Sequence, residues 1–470
     1  MPQSAHIQCV GAGADFVPSF GDLLDTGEPE LIREPLRRWL ARGDRAGATY
    51  VYEAWLKAGG EPELIRESLL AWLAGNAAAE EASFVYSAWL QATGEPALIR
   101  ESLLQWLAGN AAAEKASFVY SAWLKATGEV ELVRDAIGAW FELHGDDPVA
   151  GFLYCAWLSA GGEVQAFSER ICAWLAAHTN DEGEAHNLYS AWLEHGGEPA
   201  LVARSLERWL VAHARDEPAG PVCADWLKAG GEPLLIAGPA VRWLAGHAQS
   251  ERAQFLYKAW LDAGGERELF RTPIERWLSI HRDSIGVSFV CAAWLKAGGE
   301  FPFVSESIRG WLAAHATDRS ANFLYEEWLK AGGEPNLVRD SLRSWLAAHA
   351  TDRSTRYVYE SWLKAGGEPD LVRDSLRGWL AAHATDLYAS FAYKAWLNAT
   401  GEVEFVRDAL GAWLAEHGGV ASGVTYVYQA WLEAGGDPEL VREPIREWLA
   451  ANGESPSARY LRRAWVEAGG

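Results

Sequence analysis

Nine histidines stand in register along the chain, His144, His178, His213, His247, His281, His315, His349, His383 and His417, each four residues after a tryptophan. Imidazoles at fixed spacing have two obvious uses, metal ligation and a charge change near neutral pH. Each repeat brings only one, whereas a structural zinc site wants four ligands. The same position holds Asn76, Asn110 and Asn452 in other repeats and Gly43 near the N-terminus. Gly, Asn and His share tolerance of a helix C-terminus, where a left-handed residue closes the helix and a cation meets the negative dipole end. The row therefore reads as helix ends, and neither a metal nor a cofactor is expected.

The tryptophans form a second grid. After Trp39 come the pairs 55/72, 89/106, 123/140, 157/174, 192/209, 226/243, 260/277, 294/311, 328/345, 362/379, 396/413 and 431/448, then Trp465. Indole faces can stack bases or sugars, but the strict registration of Trp with Leu on apolar stripes favours a packed core, with the indole N–H groups on backbone carbonyls. Cys223 and Cys291 replace the tyrosine of that stripe and read as buried, inert thiols. The other cysteines (Cys9, Cys155 and Cys172) have no pairing or CxxC spacing, so a disulfide framework and a zinc knuckle are unlikely.

Glutamates or aspartate at 28, 61, 95, 129, 163, 198, 232, 266, 300, 334, 368, 402 and 437 mark helix N-termini, where negative charge opposes the positive dipole end. A companion row, Arg33, Arg66, Arg100, Arg134, Arg271, Arg339, Arg373, Arg407 and Arg442, predicts salt bridges between repeats. A local departure is basic: Arg276, Arg309, Arg343 and Arg377 precede the second Trp where the N-terminal repeats have Leu70, Leu104 and Gly138. These arginines are candidate partner-binding residues, set against local pairing with Glu306, Asp340 and Asp374 three residues earlier. HExxH, GxxxxGK[ST] and GxSxG are absent, and no carboxylate pair escapes the repeat. No catalytic residue is assigned and no enzyme is expected.

The elements that must position these rows follow from the spacing. Every Trp pair is 17 apart, and first members recur every 34 residues with two intervals of 35. From Trp311 to Ser344 and from Trp345 to Gly378, 27 of 34 positions are identical, so such repeats share one backbone. Leu337, Val338, Leu342, Trp345 and Leu346 recur at helical spacing, and Phe323, Leu324, Tyr325, Trp328 and Leu329 do so over a shorter length. Gly332-Gly333 ends one helix and Glu334-Pro335 begins the next. The expected fold is all-α, an α-solenoid of about twelve to thirteen antiparallel helix pairs typified by 321–331 and 335–348, the first helix the shorter.

The expected organisation is a divergent tail and degenerate capping helix over 1–27, containing Phe16, Val17 and Phe20, a repeat array over 28–457, and a polar C-terminal cap over 458–470, with Arg462 at the stripe's Tyr position. The net charge is −23 and hydrophobic residues make up 49% of the chain. That composition excludes disorder. No apolar run reaches a membrane span and no secretion signal opens the chain, so a cytoplasmic location without membrane contact is expected.

With "WLKAGG" before its turn, the 34-residue helix-turn-helix unit resembles the tetratricopeptide class of α-solenoids in cadence, although Tyr325 and Leu337 stand where that class prefers small residues and His349 replaces its closing proline. The chain is thus similar to tetratricopeptide-like or HEAT-like solenoids. The resemblance implies a non-catalytic scaffold, adaptor or target sensor binding a protein or peptide, and, by family analogy, a bacterial signalling or defence setting. The alternatives are a nucleic-acid-binding helical repeat, which the acidic balance counts against and makes the unlikely partner class, and a passive subunit of a larger complex. Oligomeric state is left open.

Overall fold

The computed structural model describes residues 29–42, 47–93, 95–180, 185–417 and 424–469. The expected N-terminal capping helix over 1–27 lies outside them, as do Cys9, Glu28 and Gly43. Among the described residues there are 26 α-helices, two short 3-10 turns and no strand. The chain divides into two compact units, one ending at Gly231 and the other beginning at Glu232. Each unit is an α-solenoid of antiparallel helix pairs.

A representative pair in the second unit is Ala321–Lys330 followed by Pro335–His349. Ten residues against fifteen matches the expected inequality. In the first unit it fails once: the second helix Arg100–Asn110 has eleven residues against the twelve of its first helix, Ala82–Thr93, because a 3-10 turn, Pro96–Leu98, takes over its first residues. Within each unit, consecutive first helices pack on one another more extensively than consecutive second helices do. The first helices therefore form the denser layer.

Two indole hydrogen bonds per repeat fix this arrangement. On the first helix, Trp328 Nε1 donates to the carbonyl of Glu334, 3.0 Å away, and Trp55 does the same to Glu61 at 2.9 Å. That bond closes the turn inside a repeat. The indole of Trp328 lies over Gly333 so closely that a methyl group there would overlap the ring. Gly332 before it adopts φ 90, a left-handed conformation that costs a glycine little. On the second helix, Trp345 Nε1 reaches back 27 residues to the carbonyl of Asp318 at 2.9 Å, and Trp140 reaches Ala113 at 3.0 Å. That bond ties each repeat to the preceding one. Among the described residues, the buried indole nitrogens of Trp209, Trp311 and Trp396 have no partner.

The expected core is present: Trp328 and Trp345 are 2% and 1% exposed. Arginine–carboxylate rungs also join repeats, among them Arg134–Glu163 and Arg339–Glu368, both at 2.6 Å. Leu337, expected on the stripe, is only half-buried. In the last helix, Pro456–Glu467, Arg462 donates to the carbonyl of Gly453 nine residues back, 3.1 Å away. Tyr86 makes the corresponding bond to Ala77 at 2.8 Å. Trp465, with no following first helix, is half-buried.

Candidate nucleic-acid interface

The first helices carry a feature that the sequence reading misassigned. Phe323 was grouped with the apolar stripe, yet it is 52% exposed. Helical geometry gives the reason. Leu324, Tyr325, Trp328 and Leu329 share the buried face, whereas Phe323, Glu326, Glu327 and Lys330 stand at i, i+3, i+4 and i+7 on the opposite one. A ring five residues before the first Trp is thus placed on the polar side of the helix. The signal was legible as an aromatic residue on an otherwise polar face.

The position recurs. In the first unit it holds Tyr50, Phe84, Phe118 and Phe152, all exposed, and then Asn187 and Pro221. In the second unit it holds Phe255, Phe289, Phe323, Tyr357, Phe391, Tyr426 and Tyr460 without a break, all exposed except the half-buried Phe289. Burying apolar area is favourable, so the recurrence of rings from Phe255 to Tyr460 that leave much of their apolar surface in water, 52% for Phe323 and 66% for Tyr460, is not what packing alone asks for. Phe289 and Phe323 have centroids 6.5 Å apart and planes at 45°. Cations approach several rings: Lys115 lies 5.1 Å from Phe84, Lys394 4.5 Å from Tyr426, and Arg356 4.3 Å from Tyr357.

Charge differs along the chain. Residues 51–200 hold 7 basic and 22 acidic side chains, whereas residues 251–400 hold 18 and 19. In the second unit a groove of about 860 Å³ opens beside Phe323, lined by Arg319, Ser320, Asn322, Asp352 and Arg353.

The four arginines singled out from the sequence lie on second helices, all exposed. Arg343 pairs with Asp340 at 3.3 Å and Arg377 with Asp374 at 2.9 Å, the local alternative considered for them. Arg276 and Arg309 make no ion pair among the described residues.

The histidines do more than end helices. His349 stands 4.9 Å from Trp345, ring to ring; its Nδ1 lies 3.0 Å from Asp352, and its Nε2 donates to the carbonyl of Thr317, 2.7 Å away in the preceding repeat. Asn110 reaches the equivalent carbonyl, Ala78, at 3.1 Å. Asn76 and Asn452 instead donate to the tryptophan carbonyl four residues earlier, at 2.9 and 3.1 Å, the carbonyl that His178 and His247 also contact, so both residue types can serve the helix end. Among the described residues no three His, Cys, Asp or Glu side chains are grouped to hold a metal. Burial pushes the Cys223 thiol up to about 12 and raises that of Cys291 as well, so neither is a nucleophile at neutral pH. No described helix is long and apolar enough to cross a membrane.

No family model matches the chain, and no curated protein does. Among solved structures, one titled as APUM23 with its insert region deleted and the sequence GGAAUUGACGG is 12% identical, covering 86% of this chain and 99% of that one, with a TM-score of 0.43. A second, titled as APUM23 with GGAUUUGACGG, is 12% identical over 86% and 100%, with a TM-score of 0.41. A circular tandem repeat protein with novel repeat topology is 17% identical over 97% and 90%, with a TM-score of 0.13. The first two titles pair a helical chain with a uridine-containing oligonucleotide. The expectation put a protein or peptide partner first and called nucleic acid unlikely; these two titles, each carrying an oligonucleotide sequence, stand against it. That expectation leaned on net charge, which averages over a chain whose charge is unevenly spread. At this identity the likeness concerns fold alone.

Proposed function

We propose that the protein binds single-stranded nucleic acid along the first-helix face of its second unit. The observation that carries the reading is the unbroken row of seven rings from Phe255 to Tyr460, one per repeat, on the polar side of the densely packed layer. Stacking of a base on an aromatic ring contributes ~1–3 kcal/mol per base by alanine substitution, and it needs unpaired bases with free faces. Consecutive packed helices lie ~8–10 Å apart, so the rings offer a regular stride along an extended strand.

The polar neighbours support a binding role for this face. Three residues after each ring stand Lys258, Ala292, Glu326, Glu360, Lys394, Gln429 and Arg463, varied in charge and size, while the adjoining Leu and Trp positions hardly change. The near-neutral balance of residues 251–400 removes most of the long-range repulsion that a charge of −23 would impose on a polyanion.

The test is fluorescence anisotropy with labelled oligo(U), oligo(dT) and a mixed-sequence duplex, at low and near-physiological salt. Both single strands should bind and the duplex should bind less. The triple variant Phe255→Ala, Phe323→Ala, Tyr426→Ala should weaken single-strand binding at least about fivefold per ring, with unchanged helicity because all three rings are exposed. Absence of single-strand binding at low salt, or equal affinity in the triple variant, would sink the reading.

A further inference from the structure

One stretch of the second unit concentrates more than rings. The loop position before each first helix is Glu80, Glu114, Glu217 or Glu251 in four repeats, Pro148 in another and Ile285 in a sixth, but it is arginine in two consecutive repeats, Arg319 and Arg353. Both side chains are largely exposed, 83% and 75%. Each touches the loop aspartate of the next repeat through a single contact, Arg319–Asp352 at 3.5 Å and Arg353–Asp386 at 3.3 Å. They line the groove beside Phe323, where the Ser320 hydroxyl, buried at its oxygen, has no partner.

The next repeat supplies a second platform. Its loop carries Leu387-Tyr388 where its neighbours have Arg319-Ser320 and Arg353-Ser354, and Tyr388 is 53% exposed. Arg356 lies over both Tyr357 and Tyr388, 4.3 and 5.0 Å from their centroids. It donates to the Tyr357 hydroxyl at 2.7 Å and to the carbonyl of Arg353 at 3.2 Å, while its Nε has no partner. The guanidinium is thereby held against two exposed rings.

We propose that Arg319, Arg353, Phe323 and the Tyr357–Arg356–Tyr388 stack form the anchor of a single strand: two bases of the strand lie on Phe323 and on Tyr388, and phosphates of the strand meet Arg319 and Arg353. This rests on the reading that the second unit binds single strands. Phosphate matches the guanidinium fork as a carboxylate does. Exposed ion pairs contribute little, so exchanging Asp352 and Asp386 for phosphate oxygens costs little. The repeats at Phe255 and Phe289 lack this chemistry, since Glu251 and Ile285 stand where the arginines do.

The experiment measures anisotropy of labelled oligo(U) and oligo(dT) across a salt series for wild type, for Arg319→Gln with Arg353→Gln, for Tyr388→Ala, and for Arg407→Gln with Arg446→Gln, two exposed second-helix arginines, as a control elsewhere on the same unit. Two phosphate contacts on a single strand contribute about −1.4 to the slope of log affinity against log salt. The Arg319/Arg353 variant should lose roughly that much slope and bind at least about tenfold more weakly at low salt. Tyr388→Ala should weaken binding about fivefold or more with the slope retained. The control should match wild type. If wild type binds while the Arg319/Arg353 variant keeps its affinity and slope, the anchor is overturned and the stacking row stands, as judged by the triple ring variant. A control loss equal to that of the loop arginines overturns the anchor as well. If wild type binds neither strand, the anchor falls together with the reading beneath it.

Discussion

Residues 51–200 and 251–400 are built on one template and differ in what they display. Both stretches place an indole over the turn glycine, tie repeats such as those of Trp140 and Trp345 to the one before by a second indole, and set a ring on the exposed side of the first helix. The earlier stretch is strongly acidic, and its row of rings ends at Asn187 and Pro221; the later one is nearly balanced and its rings continue. The comparison separates two kinds of constraint. Positions that close a turn or join repeats are held by geometry in both units, because a different residue breaks a bond that the stack needs. Surface positions are free of that demand and carry the difference between the units.

The strongest way to break the comparison is through the core. Trp140→Ala in the first unit and Trp345→Ala in the second should each destabilise by about 3–5 kcal/mol, because each loses a fully buried ring and strands the carbonyl of Ala113 or Asp318. Chemical denaturation of the two variants checks this, and costs that differed by more than half would show that the two units do not share one interlock. A smaller effect separates the surfaces. Phe118→Ala in the first unit should change oligo(U) affinity less than twofold, whereas Phe323→Ala in the second should weaken it about fivefold or more; equal losses would extend the interface to the acidic unit.

The smallest effect sharpens the contrast between rungs. Arg373 holds both carboxylate oxygens of Glu402, at 2.6 and 2.8 Å, whereas Arg66 only approaches Glu95, at 4.0 Å. The hydrogen bonds from Arg373 hold the Glu402 carboxyl below the usual range. A lowered folded-state value means that the rung's contribution is present above the carboxyl's unfolded midpoint and is lost as pH falls through the folded one. An NMR titration should find the Glu402 midpoint depressed and Arg373→Gln should return it to the ordinary range; an unchanged midpoint in that variant would remove the rung as the cause. Both groups are solvent-exposed, so melting should hardly respond.

Sequence by itself determined the repeat, its helix pair and most of its core. A Trp grid with 17-residue spacing, a Gly-Gly-Glu-Pro turn and a Leu stripe leave one way to bury the apolar side of two short helices, by stacking copies. The inter-repeat rungs of Arg and Glu were legible for the same reason, since identical units place identical partners at a constant offset. The tertiary structure alone decided which aromatic residues face solvent. Phe323 and Leu324 are neighbours in sequence and both apolar, and only the direction of each side chain from a packed helix puts one in water and the other in the core. It alone also showed that His144, His281, His349, His383 and His417 bridge repeats, because their partners lie 32 residues back and come within reach only when two repeats are stacked.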